Sequence, residues 1–179
     1  RHSDVAPSAS AVAFADAAIV DFTPAAKVDL RRVLGFRPRG ERRTFCVAPV
    51  LGEAELTHVE FWAAGLDCCE PLWGFSCDDA LSPLARSGAV ISGVASGFSA
   101  QRYMGFQQAA HQAAAMYGLT TPQEPVFVRW LEDPTVLQSR AFQDGIVGML
   151  LLCVLYFVAS AIIAVLLHWS SARRPAKGP

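Results

Sequence analysis

The hydropathy pattern is dominated by residues 145–167, GIVGMLLLCVLYFVASAIIAVLL, 23 positions without a charge, a proline, an Asn or a Gln. At ~1.5 Å per residue a helix of that length reaches roughly 34 Å, enough to cross a ~30 Å hydrocarbon core with slight tilt. Backbone polar groups in lipid must pair within the segment, so a span here is a helix. Just upstream, Glu132-Asp133-Pro134 has the form of a helix start, with a capping acid, a proline for the first turn and negative charge at the positive end of the dipole. Nothing between Thr135 and Gly145 breaks a helix. The pattern therefore predicts one continuous helix over 133–170, spanning at 145–167, rooted without a linker in the strand before it and followed by a basic tail at 171–179.

Upstream of residue 133 the periodicity changes along the chain. Alternation and β-branched or aromatic content predict strands at 43–51 and 58–66, joined through Gly52-Glu53-Ala54-Glu55 as a hairpin. Pro49 would mark an edge or an end of the first. Further strands are expected at 88–94 and 125–131. In the last, Val126, Val128 and Trp130 point one way and Phe127, Arg129 and Leu131 the other. Between these two, the period shifts to that of a helix over 99–118. Tyr103, Phe106, Ala110, Ala113 and Tyr117 recur at steps of three and four, while Gln101, Gln108, His111 and Gln112 fall largely elsewhere. Ser99 suits its N-cap and Gly118 its C-terminal stop. The expected fold is α+β: a small, mainly antiparallel sheet of about four strands, one amphipathic covering helix, and a C-terminal transmembrane helix.

The first 42 residues read as an N-terminal segment, partly irregular with a short helix, ahead of a cysteine-containing α+β domain at 43–132. The apolar run 9–20 is too short to span a bilayer and contains Asp16. It reads as a short helix, a strand ending at Asp21, or a remnant of something longer. Thr23-Pro24 looks like a cap and first turn and Gly35 like a stop, so a helix is expected over 24–34; an extended 27–33 is the rival. The chain does not begin with Met, consistent with a removed leader or a fragment.

Charge narrows the partners. The formal net charge is -1, which gives no global pull toward nucleic acid, and no cofactor-binding motif is present. Arg31, Arg32, Arg37, Arg39, Arg42 and Arg43 fall within 13 residues with Glu41 as the single acid. That cluster is either an anion patch for lipid head groups or an acidic partner, or a solvated loop. Flanking the span, Arg173, Arg174 and Lys177 outnumber Arg129 and Arg140, which favours a cytosolic tail and a lumenal or extracellular domain. Trp169 suits the interface.

Of five cysteines, Cys153 lies in the span, and Cys46, Cys68, Cys69 and Cys77 lie in the domain. In an oxidising compartment the four make two disulfides; in a cytosol-facing domain they stay reduced and buried. A bond between the neighbours Cys68 and Cys69 would strain an eight-membered ring. Cys46 is then bonded to one of that pair and Cys77 to the other. The irregular stretch 67–87 needs such a staple, with Trp73 and Phe75 packing over it. Other chemistry fits poorly. The Cys-x-x-Cys of a catalytic dithiol is missing, and Asp67 and Glu70 would raise a neighbouring thiol. Zinc on Cys46, Cys68, Cys77 and His58 lacks paired ligand spacing. Asp78-Asp79 reads as a helix N-terminus leading into Ala80-Leu81 and not as a calcium loop. Catalytic, cofactor and metal sites are not expected. In the span, Ser160 and Ala164 form a small-xxx-small pair suited to a helix–helix contact.

The run Phe45-Cys46-Val47-Ala48-Pro49, then Phe61-Trp62-Ala63-Ala64-Gly65-Leu66-Asp67-Cys68-Cys69, then Phe75-Ser76-Cys77-Asp78-Asp79-Ala80 and Ala85-Arg86-Ser87-Gly88 resembles a set of uncharacterised membrane proteins of alveolate protists. The resemblance covers roughly 43–131 plus the span. It implies a tethered ectodomain in which the cysteine segment is a structural signature, and it implies no activity. The expected protein is a non-enzymatic, single-pass membrane protein that binds or assembles through its domain, in contact with the bilayer and with a protein partner. The alternatives are a subunit of a larger membrane complex, a piece of a multi-span protein, and a thiol–disulfide enzyme.

Overall fold

A computed structural model describes residues 1–53, 57–91 and 98–172. The chain divides into two compact units, Arg1–Pro134 and Thr135–Pro179. The first is built on one sheet of eight strands: β1 His2–Val5, β2 Ile19–Phe22, β3 Lys27–Val28, β4 Leu34–Phe36, β5 Phe45–Leu51, β6 Phe61–Leu66, β7 Ser87–Val90 and β8 Val126–Leu131. Helix α1, Phe98–Tyr117, lies between β7 and β8 in the chain. The sheet order is β1-β2-β7-β8-β6-β5-β3, with β4 also paired to β5.

The class is α+β as expected, and β5 and β6 form the antiparallel pair read from the sequence, with Phe45 opposite Leu66 and Pro49 opposite Trp62. The tip of their connection, 54–56, lies outside the described residues, as do 92–97 and the basic tail from 173 on. The sheet is larger than predicted and mixed: β1–β2 and β6–β8 are parallel. The N-terminal residues supply the additional strands, so positions 1–42 belong to the same sheet as the cysteine-bearing residues.

The helix expected over 24–34 is not formed. Thr23 closes a turn instead, its carbonyl accepting from Ala26 N–H, and the chain then lays β3 and β4 along β5. An isolated helix of that length is marginal, whereas two short strands beside β5 gain ladder bonds, and Val28, Val33 and Leu34 become buried. Gly35, read as a helix stop, sits in β4 opposite Cys46. The rival extended reading of 27–33 holds for Lys27–Val28. The run 9–20 combines two of its readings, a 3-10 turn at Ala11–Phe14 and the start of β2.

Pro49 marks a break in the ladder and not the sheet's edge. β4 pairs β5 up to Val47, and β3 takes over at Val50. Pro49 falls between them, where its missing N–H removes no strand bond, and its carbonyl accepts from Asp29 N–H at 2.9 Å.

Both faces of the sheet are covered. On one, Phe45, Val47, Trp62, Ala64 and Phe127 meet Phe106, Ala109, Ala110, Ala113 and Ala114 of α1. The four alanines keep the helix close to the strands, and at Gly105 a Cβ would stand 2.4 Å from the Phe45 ring. Tyr103 and Tyr117 flank this stripe and clip the helix by donating to the carbonyls of Pro125 (3.1 Å) and Val33 (2.7 Å). Burial raises both phenol pKa values. Gly118, at φ +66°, ends the helix as read. On the other face, Val20, Phe22, Cys46, Ala48, Phe61, Val128 and Trp130 are covered by irregular chain: Ala11, Phe75, Cys77 and Ala85.

The described residues of the second unit form one helix, α2, Thr135–Ala172. Its 38 residues make about 57 Å at ~1.5 Å each. Within it, Gly145–Ile163 has a mean hydropathy of 2.8 and is long and apolar enough to cross a membrane.

Candidate functional site

The cysteine segment is built from the end of β6. After Leu66 the chain turns at Asp67, whose φ is +57°, and the next two residues face different partners. Cys69 bonds Cys46 of β5, with Cα atoms 5.8 Å apart. Cys68 bonds Cys77, with Cα atoms 5.0 Å apart. The two pairings left open by the sequence thus resolve to one. Asp67 accepts the Thr44 N–H at 2.7 Å and donates its own N–H to the Thr44 carbonyl, tying the turn to β5. Gly65 makes room for the second bridge: a Cβ there would lie 2.6 Å from Cys68 Sγ and 2.7 Å from Cys77 Sγ. The sulfurs of Cys46, Cys68 and Cys77 lie within 4.8 Å of one another, but zinc binds thiolates and the disulfides consume them. His58 hydrogen-bonds Thr120 and Glu60 instead of joining the sulfurs.

Phe75 packs beneath the stapled segment as predicted, at 3% exposure; Trp73 does not, at 68%. Trp73 sits at the tip of a tight turn, where its carbonyl accepts from Glu70 N–H and Gly74 follows at φ +72°. Asp78-Asp79 opens turns and no helix. Asp78, at φ +49°, faces Arg129: its Oδ2 accepts from Arg129 Nε at 3.0 Å and its Oδ1 from the second guanidinium nitrogen. That pairing raises the Arg129 pKa. The Asp79 carboxylate accepts from Glu132 N–H at 3.0 Å.

Above this bridge a crevice of about 430 Å³ opens between the sheet and α1. Arg102 and Phe106 come from α1, Ala64 and Leu66 from β6, Arg129 from β8, and Ile91 from the residue after β7. The Cys68–Cys77 cystine forms part of its wall. No motif announces this crevice. Its one legible signal is Arg129, the single charge in an otherwise apolar strand, on the side that carries Phe127.

The arginine cluster does not form a single open patch. Arg31 and Arg32 pair with the buried Asp29, at 3.5 and 3.2 Å. Arg37 donates to Thr44 Oγ1. Arg39, Arg42 and Arg43 are exposed. Arg43 borders a small recess shared with Glu41 and Arg102.

A further polar chain joins distant segments. His58 Nδ1 lies 2.8 Å from Thr120 Oγ1, His58 Nε2 lies 3.0 Å from Glu60 Oε1, and Glu60 Oε2 accepts from Ala11 N–H. A hydroxyl, an imidazole and a carboxylate in this order resemble a nucleophile with its base and orienting acid. The Thr120 hydroxyl, however, donates to the Thr57 carbonyl at 3.1 Å, and the chain serves to clip three segments together. His111 lies on the exposed side of α1, 3.4 Å from the Gln123 carbonyl. In α2, Cys153 is a free, exposed thiol and Ser160 is exposed; the side chain of Ala164 lies outside the described ones.

No protein-family model, no curated protein and no solved structure matches the chain. The resemblance to alveolate membrane proteins rests on the residue pattern alone.

Proposed function

We propose that the chain is a single-pass membrane protein whose disulfide-stapled domain lies on the lumenal or extracellular side, with its tail in the cytosol. In this reading the domain works by binding or assembly and not by catalysis. The observation that carries it is a conjunction: one helix long and apolar enough to cross a bilayer, in a chain whose domain holds two disulfides. Disulfides persist in oxidising compartments, which favours the non-cytosolic side for the domain. The excess of basic residues after the span agrees. A binding role is supported by the stapled segment, which exposes Leu72, Trp73, Leu81 and Leu84. Leu72 and Trp73 stand outward on the loop closed by Cys68–Cys77, Leu81 and Leu84 on the chain just after it, and exposed large apolar side chains grouped in this way are a feature of contact surfaces.

Two measurements test this. Thiol labelling under denaturing, non-reducing conditions should modify Cys153 alone; four more labelled thiols would overturn the stapled domain. The chain holds two lysines, Lys27 in the domain and Lys177 in the tail. On sealed vesicles with the cytosolic face outward, an impermeant amine reagent should modify Lys177 and spare Lys27. The reverse pattern overturns the orientation.

A further inference from the structure

We infer that the two cystines form one exchange unit that captures a thiol covalently through the crevice. This deepens the assembly reading above, on which it rests, by naming the group that a partner presents. The starting point is a register. Cys46 in β5 lies opposite Gly35 of β4 on one side and Gly65 of β6 on the other. Both glycines leave space that sulfur fills. A Cβ at Gly35 would stand 3.0 Å from Cys69 Sγ, and one at Gly65 would stand 2.6 Å from Cys68 Sγ and 2.7 Å from Cys77 Sγ. The two bridges therefore lie side by side across three strands, and the sulfurs of Cys46, Cys68 and Cys77 are all within 4.8 Å of one another. A side chain at position 65 would hold them apart.

The bridges differ in access. The Cys68–Cys77 cystine lines the crevice, whereas Cys46 is fully buried. The crevice opens because the β6–β8 ladder stops at Ala63 opposite Val128, after which β6 stays on β5 and β8 on β7. A thiolate entering there meets Cys68, half-buried where Cys77 is buried. It attacks Cys68 Sγ: a bond forms between the two, the Cys68–Cys77 bond breaks, and the electron pair leaves on Cys77 as thiolate. Cys77 next attacks Cys46 Sγ, across a gap of no more than 4.8 Å that rotation of the two side chains closes to a disulfide. The Cys46–Cys77 bond forms, the Cys46–Cys69 bond breaks, and Cys69 takes up the proton that the incoming thiol gave up. Two disulfides and one thiol stand on each side of the exchange, so it consumes no oxidant or reductant. Intramolecular return is blocked. Cys77, which would expel the captured thiol, is bonded, and Cys69 could expel it only by closing the strained eight-membered ring with its neighbour Cys68. Adjacent cysteines thus make the capture persistent, which stapling alone does not require.

The full chain in nanodiscs, given one equivalent of 2-mercaptoethanol at mildly alkaline pH and quenched with iodoacetamide, tests this by peptide mass spectrometry. The expected product carries the reagent on Cys68, a Cys46–Cys77 crosslink, and iodoacetamide on Cys69 besides Cys153. This map needs no variant. In Cys46→Ala with Cys69→Ala, the released Cys77 stays free to expel the adduct at an effective concentration near millimolar or above, so the yield should fall by roughly tenfold or more. Acetyl-Ala-Cys-Ala-amide separates the two sources of a thiol. Faster capture of the peptide than of 2-mercaptoethanol at equal thiolate concentration supports a protein cysteine as the partner group; slower capture supports a small thiol. Alkylated Cys77 with Cys46–Cys69 intact overturns the inference. So does the reagent on Cys69, a yield unchanged in the double variant, or no adduct with either thiol. Four domain thiols that alkylate before any reagent is added overturn the stapled domain itself; two intact bridges that capture no thiol overturn this inference alone.

Discussion

The two faces of the sheet are covered in opposite ways. On one, α1 satisfies its own backbone hydrogen bonds and needs only an apolar stripe to dock. On the other, chain around 11–14 and 67–86 covers an equally apolar surface with almost no regular structure. Irregular chain has no ladder to hold it and loses more conformational entropy per bond formed. The disulfides stand on this second face, where both bridges contribute to its buried cluster, and the helical face has none. Cross-links are placed where hydrogen bonding cannot close the cover.

The contrast can be broken most severely by removing both bridges with Cys46→Ala, Cys69→Ala, Cys68→Ala and Cys77→Ala. The sequence separations of 23 and 9 correspond to loop-closure contributions of about 3.4 and 2.6 kcal/mol. A loss of about 5–6 kcal/mol is expected in denaturant titration, and hydrogen exchange should rise first at 67–86 while α1 stays protected. Simultaneous exchange of α1 would show that the two covers are not independent. Phe106→Ala tests the opposite face. It removes a 3%-exposed side chain and should cost about 3–5 kcal/mol, with exchange rising in α1 while both disulfides still form.

Smaller effects sharpen the comparison. Gly65→Ala presses on the cystine and Gly105→Ala on the Phe45 ring, and each should cost about 1–3 kcal/mol by overpacking. A ring can slide where a cystine cannot, so Gly65→Ala should be the costlier, read as the difference in denaturation midpoint. Ser87→Ala removes the hydroxyl that donates to Asp21 at 2.6 Å and should cost about 1 kcal/mol. Asp21 also carries a pH signature. Its pKa is lowered, chiefly by the Arg1 hydrogen bond, with burial opposing and Ser87 assisting. Its contribution is present above the unfolded carboxyl value of about 3.9 and is lost as pH falls through the lower folded value. Ser87→Ala should therefore move acid unfolding to higher pH, as followed by circular dichroism. Least of all, Arg39→Glu and Arg42→Glu, on exposed chain, should stay within about 0.5 kcal/mol.

The legible parts share one property: their signal is local. The stripe on α1 and the alternation of β6 and β8 are periodicities that a short window contains. The β5–β6 hairpin joins neighbours in the chain. What escaped is non-local. β3 and β4 carry too few residues for a period, and they are strands because β5 lies beside them. Hydrophobicity alone predicts Trp73 over the cystines, but a tight turn holds it outward. Asp78 and Arg129, 51 residues apart, have no spacing rule that joins them.

By itself, the sequence determined that residues 145–167 make a helix able to span a bilayer, that an amphipathic helix covers a sheet, and that four cysteines are available to pair if the domain meets an oxidising compartment. Composition and period suffice for each, because apolar length, a 3.6-residue repeat and thiol count are properties of the segment alone. Tertiary structure decided which cysteine meets which, that the N-terminal residues complete the sheet, and that two parallel strands part to leave a cleft between two arginines. Those depend on strand order, and strand order is set by which distant segments bury their faces together.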